Sequence, residues 1–243
     1  VEFIEGSDSG ILLQRLKIEG ESLGADLVIG LDQYDLAKAN SEQDWRKIKI
    51  EGLKVYPQVQ SALAQNHFIP YDWGILTFVG YSTKERKPTS LDEFLDPLFE
   101  GQIALQDPRT SSPGMQFLAW VLKVKGEEEG FRYLSQMMKQ AHSFSPTWSS
   151  SYGLFTGGQA RLVYSYITSP LYHQTEEQSR RYMALSLNET LPIQYEFVGI
   201  PDICRRCELA EQFVNLMLSE QGQRIIMNKN YMFPVKEGVA DNT

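Results

Sequence analysis

The sequence predicts an α/β protein built as two lobes, and three observations carry that expectation. Short apolar runs at residues 25–31 (ADLVIGL), 103–105 and 160–166 (ARLVYSY) alternate with stretches of helical period. That is the pattern of mixed, largely parallel sheets with helices on both faces. Two further runs rich in aromatic and β-branched residues, 68–81 (FIPYDWGILTFVGY) and 193–200 (IQYEFVGI), read as strands that cross between lobes near Asp72 and Tyr195. They divide the chain into a discontinuous first lobe, residues 1–75 and 197–243, and an inserted second lobe, residues 76–196. Finally, a chain of 243 residues is long enough for two cores.

Taken in order, residues 1–4 alternate weakly and suit a short strand. Asp8-Ser9-Gly10 starts a helix that carries Ile11, Leu12, Leu13, Leu16 and Ile18 at helical spacing. Asp32 closes the strand at 25–31, at the carboxyl end where open α/β sheets place ligands. A domain that opens on one fragmentary strand leads us to expect that a strand and helix preceding Val1 are missing. Residues 33–66 give no sharp signal. Within 68–81, Asp72-Trp73-Gly74 marks a bend. Residues 84–88 form a surface turn, Ser90-Leu91-Asp92-Glu93 opens a short helix, and Ile103-Ala104-Leu105 is a strand.

The stretch that follows, residues 106–114 (QDPRTSSPG), reads as a tight polar loop opening the helix at 115–124. Thr110, Ser111 and Ser112 are good N-cap residues, Pro113 suits the first turn, and Gly114 lets a ligand approach the backbone. The first amides of such a helix have no intrahelical partners and can hold an anion, typically a phosphate. A well-capped helix that binds nothing explains the same residues equally well.

A second helix, 127–139, carries Phe131, Leu134 and Met138 on one side. Residues 143–151 are a polar loop holding Pro146 and Trp148, and residues 151–155 begin another helix. After the strand at 160–166, Thr168-Ser169-Pro170 repeats the strand-loop-cap chemistry and leads to Tyr172. Residues 208–227 form one long amphipathic helix with Leu209, Phe213, Leu216, Met217, Ile225 and Ile226 apolar. Residues 230–235 close the ordered chain, and the tail after Glu237 is expected to be disordered.

The formal charge of −8 argues against a nucleic-acid partner, which selects a basic face. No apolar run is long enough to span a bilayer. The chain carries neither a signal peptide nor an initiator Met, so it reads as processed or trimmed. Cys204 and Cys207 form a lone CRRC, half of a zinc site at most, best read as two incidental thiols or a local disulfide.

Catalytic sets are sparse. The histidines are His67, His142 and His173, with no HExxH, GxSxG or GxxxxGK[ST], and surface or satisfied core positions account for them. Asp8, Asp32, Asp72 and Asp107 fall near strand ends, where caps and turns explain most aspartates. The expectation is a protein without catalysis, cofactor or metal. Aromatics are the richer signal: Trp73, Trp148, Tyr152, Tyr166, Tyr172 and Tyr231 lie in or beside loops after strands. For any one of them core packing is the better explanation. As a set they suit a flat, cationic heterocycle whose other end is compatible with phosphate.

QDPRTSSPG, then WSSSYGLF (148–155), then YSYITSPLYH (164–173), in this order and spacing, resembles the thiamine-binding periplasmic proteins of bacterial ABC importers. LLQRLKIEG (12–20), ADLVIGLD (25–32), FIPYDWG (68–74) and NYMFPV near the carboxyl end fit as well, so the resemblance covers nearly the whole chain. It implies a two-lobed type II periplasmic-binding-protein fold, hinged at the two crossover strands, that closes on thiamine or its mono- or diphosphate. It implies delivery to a membrane permease, a periplasmic or extracellular location, and a monomer. By the family's pattern Trp148 and Tyr172 stack on the thiamine rings and Tyr166 adds a hydroxyl. Thr110, Ser111 and Gly114 face the phosphate or hydroxyethyl end, and Asp8 and Asp32 match acidic positions of the first lobe. We expect Asp72, Tyr152, Asn230 and Tyr231 to line the same site.

Two departures stand out. Tyr231 follows Asn230 where the family has Trp, and the family's amino-terminal strand and last helices are not in this sequence. Two alternatives remain on sequence grounds: another ligand in the same fold, such as ferric iron on Tyr164 and Tyr166 or an organic anion, and a phosphate-ester enzyme using Asp107 with Asp32.

Overall fold

The structure is a computed structural model that describes residues 2–6, 8–50, 52–64 and 67–240, with the backbone alone at Glu21. The chain divides into two compact units, Val1–Gly74 with Gln194–Thr243, and Ile75–Ile193. The strands are β1 (Val28–Asp32), β2 (Phe68–Tyr81), β3 (Ile103–Gln106), β4 (Ser143–Ser145), β5 (Leu162–Tyr166), β6 (Tyr182–Ala184), β7 (Ile193–Gly199) and β8 (Phe233–Pro234). The α-helices are α1 (Ser9–Glu19), α2 (Leu36–Glu42), α3 (Ser112–Lys125), α4 (Glu127–Gln140), α5 (Trp148–Thr156), α6 (Ser169–Glu176), α7 (Cys207–Met217) and α8 (Glu220–Asn230).

In the first unit β1 pairs antiparallel with β7, and the first half of β2 pairs antiparallel with β8, Asp72 opposite Pro234. The β1 register shifts between Ile29 and Leu31, where Gly30 takes a φ of 97° that a bulge requires. Leu13 and Leu16 of α1, Leu31, Phe68, Val198 and Val214 are buried, with the Trp45 ring 4.8 Å from that of Phe68. Gln223 of α8 is fully buried and ties three segments together. Its amide donates to Tyr71 O (2.8 Å) and Met217 O (3.1 Å), and its oxygen accepts from Val235 N (2.7 Å) and Lys236 N (3.2 Å).

In the second unit the later half of β2 pairs antiparallel with β5 and β6, while β3 lies parallel to β5 on one side and to β4 on the other. The two-residue period of the strands sorts their side chains between two cores. Leu76, Phe78, Ile103, Leu105, Leu162 and Tyr164 join Phe117, Trp120 and Val121 of α3 and Tyr133 and Met137 of α4. Val79, Ala104 and Val163 join Phe155 of α5 and Tyr182. This sheet is therefore covered on both faces.

Several expectations change. Residues 2–6 form no strand, and Val1 lies outside the described residues. Ser90–Glu93 leads only into short 3-10 turns, Asp92–Leu95 and Pro97–Phe99. On α4 the buried stripe is Gly130, Tyr133 and Met137, whereas Phe131 and Met138 are exposed; the Tyr133 hydroxyl donating to Leu91 O (2.8 Å) fixes that rotation. The expected loop at 143–151 contains β4 and the start of α5, because residues 143–145 pair with β3 and Thr147 caps the helix by accepting from Ser150 N (3.1 Å). The long helix at 208–227 is two helices. Ser219 caps α8 through Gly222 N (3.1 Å), and a Cβ at Gly222 would stand 2.1 Å from Leu216 O, so only glycine turns this corner. The tail is ordered to Ala240: Val239 is buried and Ala240 N donates to Tyr56 (3.2 Å), while residues 241–243 lie outside the described residues. Cys204 and Cys207 are disulfide-bonded.

Phe78 packs fully buried against Phe94 (4.0 Å between ring centroids), Tyr164 (5.2 Å) and Phe117 (5.9 Å). Phe78→Ala should lower the unfolding free energy by about 3–5 kcal/mol, read as an earlier urea midpoint with an unchanged slope.

Candidate ligand-binding site

Parallel neighbours end at the same edge of a sheet, and their following helices begin there. In the second unit β3, β4 and β5 end at Gln106, Ser145 and Tyr166, and α3, α5 and α6 open at Ser112, Trp148 and Ser169. The loops between them are bonded to each other. Asp107 N donates to Ser145 O (2.8 Å), and the Thr110 hydroxyl donates to Pro146 O (2.7 Å). Beneath them buried Gln106 donates to Ser151 Oγ and to Tyr164 O (3.0 Å). Three helix amino-termini, each the positive end of a helix dipole, thus share one edge. Ser111, the N-cap of α3, is 2% exposed, and its hydroxyl meets no partner among the described residues.

Gly114 has a different reason from the one expected. A Cβ there would lie 2.7 Å from Gln106 O and 2.8 Å from Asp107 O, so the glycine lets α3 start hard against the end of β3 rather than opening room for a ligand.

Aromatic rings stand beside this edge. Trp148 stacks on Tyr152, one helical turn on, with centroids 4.9 Å apart and planes at 23°, and Tyr166 lies 6.4 Å from Trp148. Trp148 Nε1 donates to Ser165 Oγ (2.9 Å). The Tyr152 hydroxyl is 2.9 Å from His173 Nε2, and the two rings stack at 14°. Burial, and then Tyr182, Glu177 and Tyr172 nearby, push this hydroxyl's pKa up, so it stays neutral and available as a hydrogen-bond group. Tyr172 is 45% exposed and meets His173 edge-on at 5.2 Å. Thr110, Ser111, Trp148, Tyr152, Tyr166 and Tyr172 are therefore brought into one neighbourhood. Ser165, Ser169, His173 and Glu177 belong to it too; the sequence marked Ser169 only as a helix cap and His173 only as a surface or core histidine, and did not mark Ser165 or Glu177. The signal available for them was the i,i+4 spacing of His173 and Glu177 on α6.

The first-unit residues form separate arrangements. Asp8 is the N-cap of α1, and its carbonyl accepts from Ile11 N (3.0 Å) and Leu12 N (3.1 Å). Asp32 is buried, accepting from the amides of Tyr34 (2.7 Å) and Asp35 (3.1 Å). Asp72 is fully buried and accepts from Asn230 Nδ2 (2.9 Å). That bond holds the end of α8, where Tyr231 takes the left-handed conformation (φ 55°, ψ 30°) that is strained for a bulky residue. Trp73 is buried, its indole donating to Pro234 O (3.0 Å).

Two alternatives lose their residues. Tyr164 is fully buried in the core against Phe117 and Trp120, so it cannot join half-exposed Tyr166 on an external iron. Asp107 is held by Arg109 through its guanidinium (2.5 Å) and backbone amide (2.9 Å), which lowers its pKa, and Asp32 is engaged in its own turn.

Across residues 24–243 the chain matches the bacterial extracellular solute-binding proteins, and it belongs to that family, one of transport components rather than enzymes. A curated relative, the thiamine-binding periplasmic protein of Brucella melitensis biotype 1, is 36% identical over 235 residues, covering 96% of this chain and 70% of its own. A solved periplasmic thiamin binding protein superposes with a TM-score of 0.83 at 32% identity, over 95% of this chain and 72% of the other. The periplasmic binding protein AfuA from Actinobacillus pleuropneumoniae, at 18% identity, shares the fold with a TM-score of 0.86 over 98% of this chain and 77% of its own. The fold is that of the type II periplasmic binding proteins.

The Asp72 carboxyl offers a direct test of the first unit's electrostatics. Burial, and then the charge of Glu196, raise its pKa well above the usual value, against a smaller opposing effect of Asn230. The protonated form is thus the favoured native one, and its stabilisation is lost as pH rises through the folded-state pKa. Asp72→Asn should melt above the wild type at pH 8, and the difference should vanish below about pH 4, where the unfolded carboxyl is also protonated. A gap independent of pH would refute this account.

Proposed function

We propose that the chain is a solute-binding protein that captures thiamine, or its mono- or diphosphate, and hands it to the permease of an ABC importer. The observation that carries this reading is the stacked pair Trp148–Tyr152 beside three helix amino-termini on one sheet edge. Kinship with thiamine-binding periplasmic proteins supports the choice of ligand. Thiamine carries two flat rings, one of them a cationic thiazolium, and the π faces of Trp148, Tyr152, Tyr166 and Tyr172 attract such rings. At the other end of the ligand, the Ser111 hydroxyl, Thr110 and the first amides of α3, α5 and α6 suit a phosphate or hydroxyethyl group. The negative formal charge of −8 favours a cation. The periplasm is the proposed location, as it is for the relatives. No helix among the described residues is long and apolar enough to cross a membrane.

Tryptophan fluorescence should be quenched saturably by thiamine, with calorimetry giving the same affinity. Trp148→Ala should weaken binding roughly ten- to a hundred-fold, the usual worth of one aromatic stack. No response to thiamine or either phosphate would overturn the assignment of ligand.

A further inference from the structure

The alternation of side chains along β5 leaves one buried hydroxyl under the aromatic pair. Val163 packs with Val79, Ala104, Phe155 and Tyr182 on the face of the sheet that α5 covers. Ser165, two residues on, shares that face and is fully buried. Burying a hydroxyl beside apolar side chains costs free energy unless it is bonded, and alanine would fill the same place without that cost. The bond it makes is to the first residue of α5: Trp148 Nε1 donates to Ser165 Oγ (2.9 Å). Ser169 Oγ, from the first residue of α6, lies 2.7 Å from the same oxygen. A serine oxygen has two lone pairs and one proton, enough for both the indole and Ser169. Thr77, opposite Ser165 in the antiparallel ladder, sends its hydroxyl elsewhere, to Leu185 O (2.9 Å).

We propose that Ser165 is a positioning residue for the ligand, holding the Trp148 ring in its stacking attitude through the indole N–H before ligand arrives. The bond joins the start of α5 to the strand whose next residue is Tyr166, so the two rings, 6.4 Å apart, keep their separation. Tyr152 stacks on the indole with planes at 23°, and Ser165 takes the one hydrogen-bond donor that an indole has. The ring therefore meets a ligand through π surface, and what it contributes depends on its orientation. Fixing that orientation in advance removes side-chain freedom that binding would otherwise have to restrict, so the benefit is in affinity.

The consequence for affinity rests on the thiamine reading above, and the test is chosen to separate the two. In protein labelled with 15N at tryptophan, the Trp148 indole resonance, assigned with Trp148→Phe, reports the bond to Ser165 without any ligand. Ser165→Ala should move that resonance and speed exchange of the indole proton with water. Thiamine affinity should fall roughly three- to ten-fold in Ser165→Ala, the usual worth of one hydrogen bond. In the Trp148→Phe background, which has no N–H to hold, Ser165→Ala should cause no further loss. A serine that mattered only for folding would weaken binding equally in both backgrounds, and that result overturns the proposal. An indole resonance that Ser165→Ala leaves in place overturns it too. Should Ser165→Ala fail to fold, Ser165→Cys puts a weaker acceptor in nearly the same space. It should move the resonance in the same direction by less, and an unmoved resonance there is again fatal. A wild type that fails to bind thiamine overturns only the choice of ligand, because the resonance test needs none.

Discussion

The parallel placement of β3 between β5 and β4 is the constraint on which the second unit's site depends. Parallel neighbours need crossover connections, and the helices that leave these strands, α3, α5 and α6, begin at one sheet edge. The consequence is a concentration of positive dipole ends that no single helix would provide. Close approach is part of the same constraint. Gly114 lets α3 begin in contact with the backbone of Gln106 and Asp107, and buried Gln106 ties β3 to Ser151 of α5 and to Tyr164 of β5. The site is thus assembled by backbone geometry, and its side chains are added to it.

The aromatic residues divide by the face on which the strand or helix period places them. Tyr164 points into the core with Phe78, Phe117 and Trp120, while Tyr166, two residues on, sits at the strand end and reaches Trp148. Chemically similar rings in one short run therefore do different things. The polar groups behind the rings are buried yet bonded, as low-dielectric surroundings require, and this makes them selective of orientation as well as tolerable.

The first unit handles burial differently. Gln223 satisfies both donors and its acceptor on three backbone segments, so a fully buried amide becomes a staple. Asp72 is buried with less support, facing the charge of Glu196 and one bond from Asn230. The left-handed Tyr231 lies next to that bond. Strain and an uneasy carboxyl thus occur together in the same corner, a combination more often kept for function than for stability.

What the sequence determined by itself was local. Apolar runs located β2 to the residue and β1, β3, β5 and β7 closely, and cap chemistry located the starts of α3 and α6. Position after strands marked Trp73, Trp148, Tyr152, Tyr166, Tyr172 and Tyr231 as one set, of which the structure brings Trp148, Tyr152, Tyr166 and Tyr172 into one neighbourhood. What needed the tertiary structure was everything decided by a partner far away in the chain. The three residues of β4 are too short to show a period and exist because β3 offers them a ladder. The orientation of α4 is set by a bond from Tyr133 to Leu91, and the break between α7 and α8 by a crowded carbonyl at Gly222. His173, unremarkable as a lone histidine, gains its partners only where Tyr152 is folded against one ring nitrogen and Glu177 against the other. Periodicity and caps are properties of neighbours in sequence, so they can be read from the chain. Register, rotation and the pairing of buried polar groups are properties of neighbours in space, and only folding supplies them.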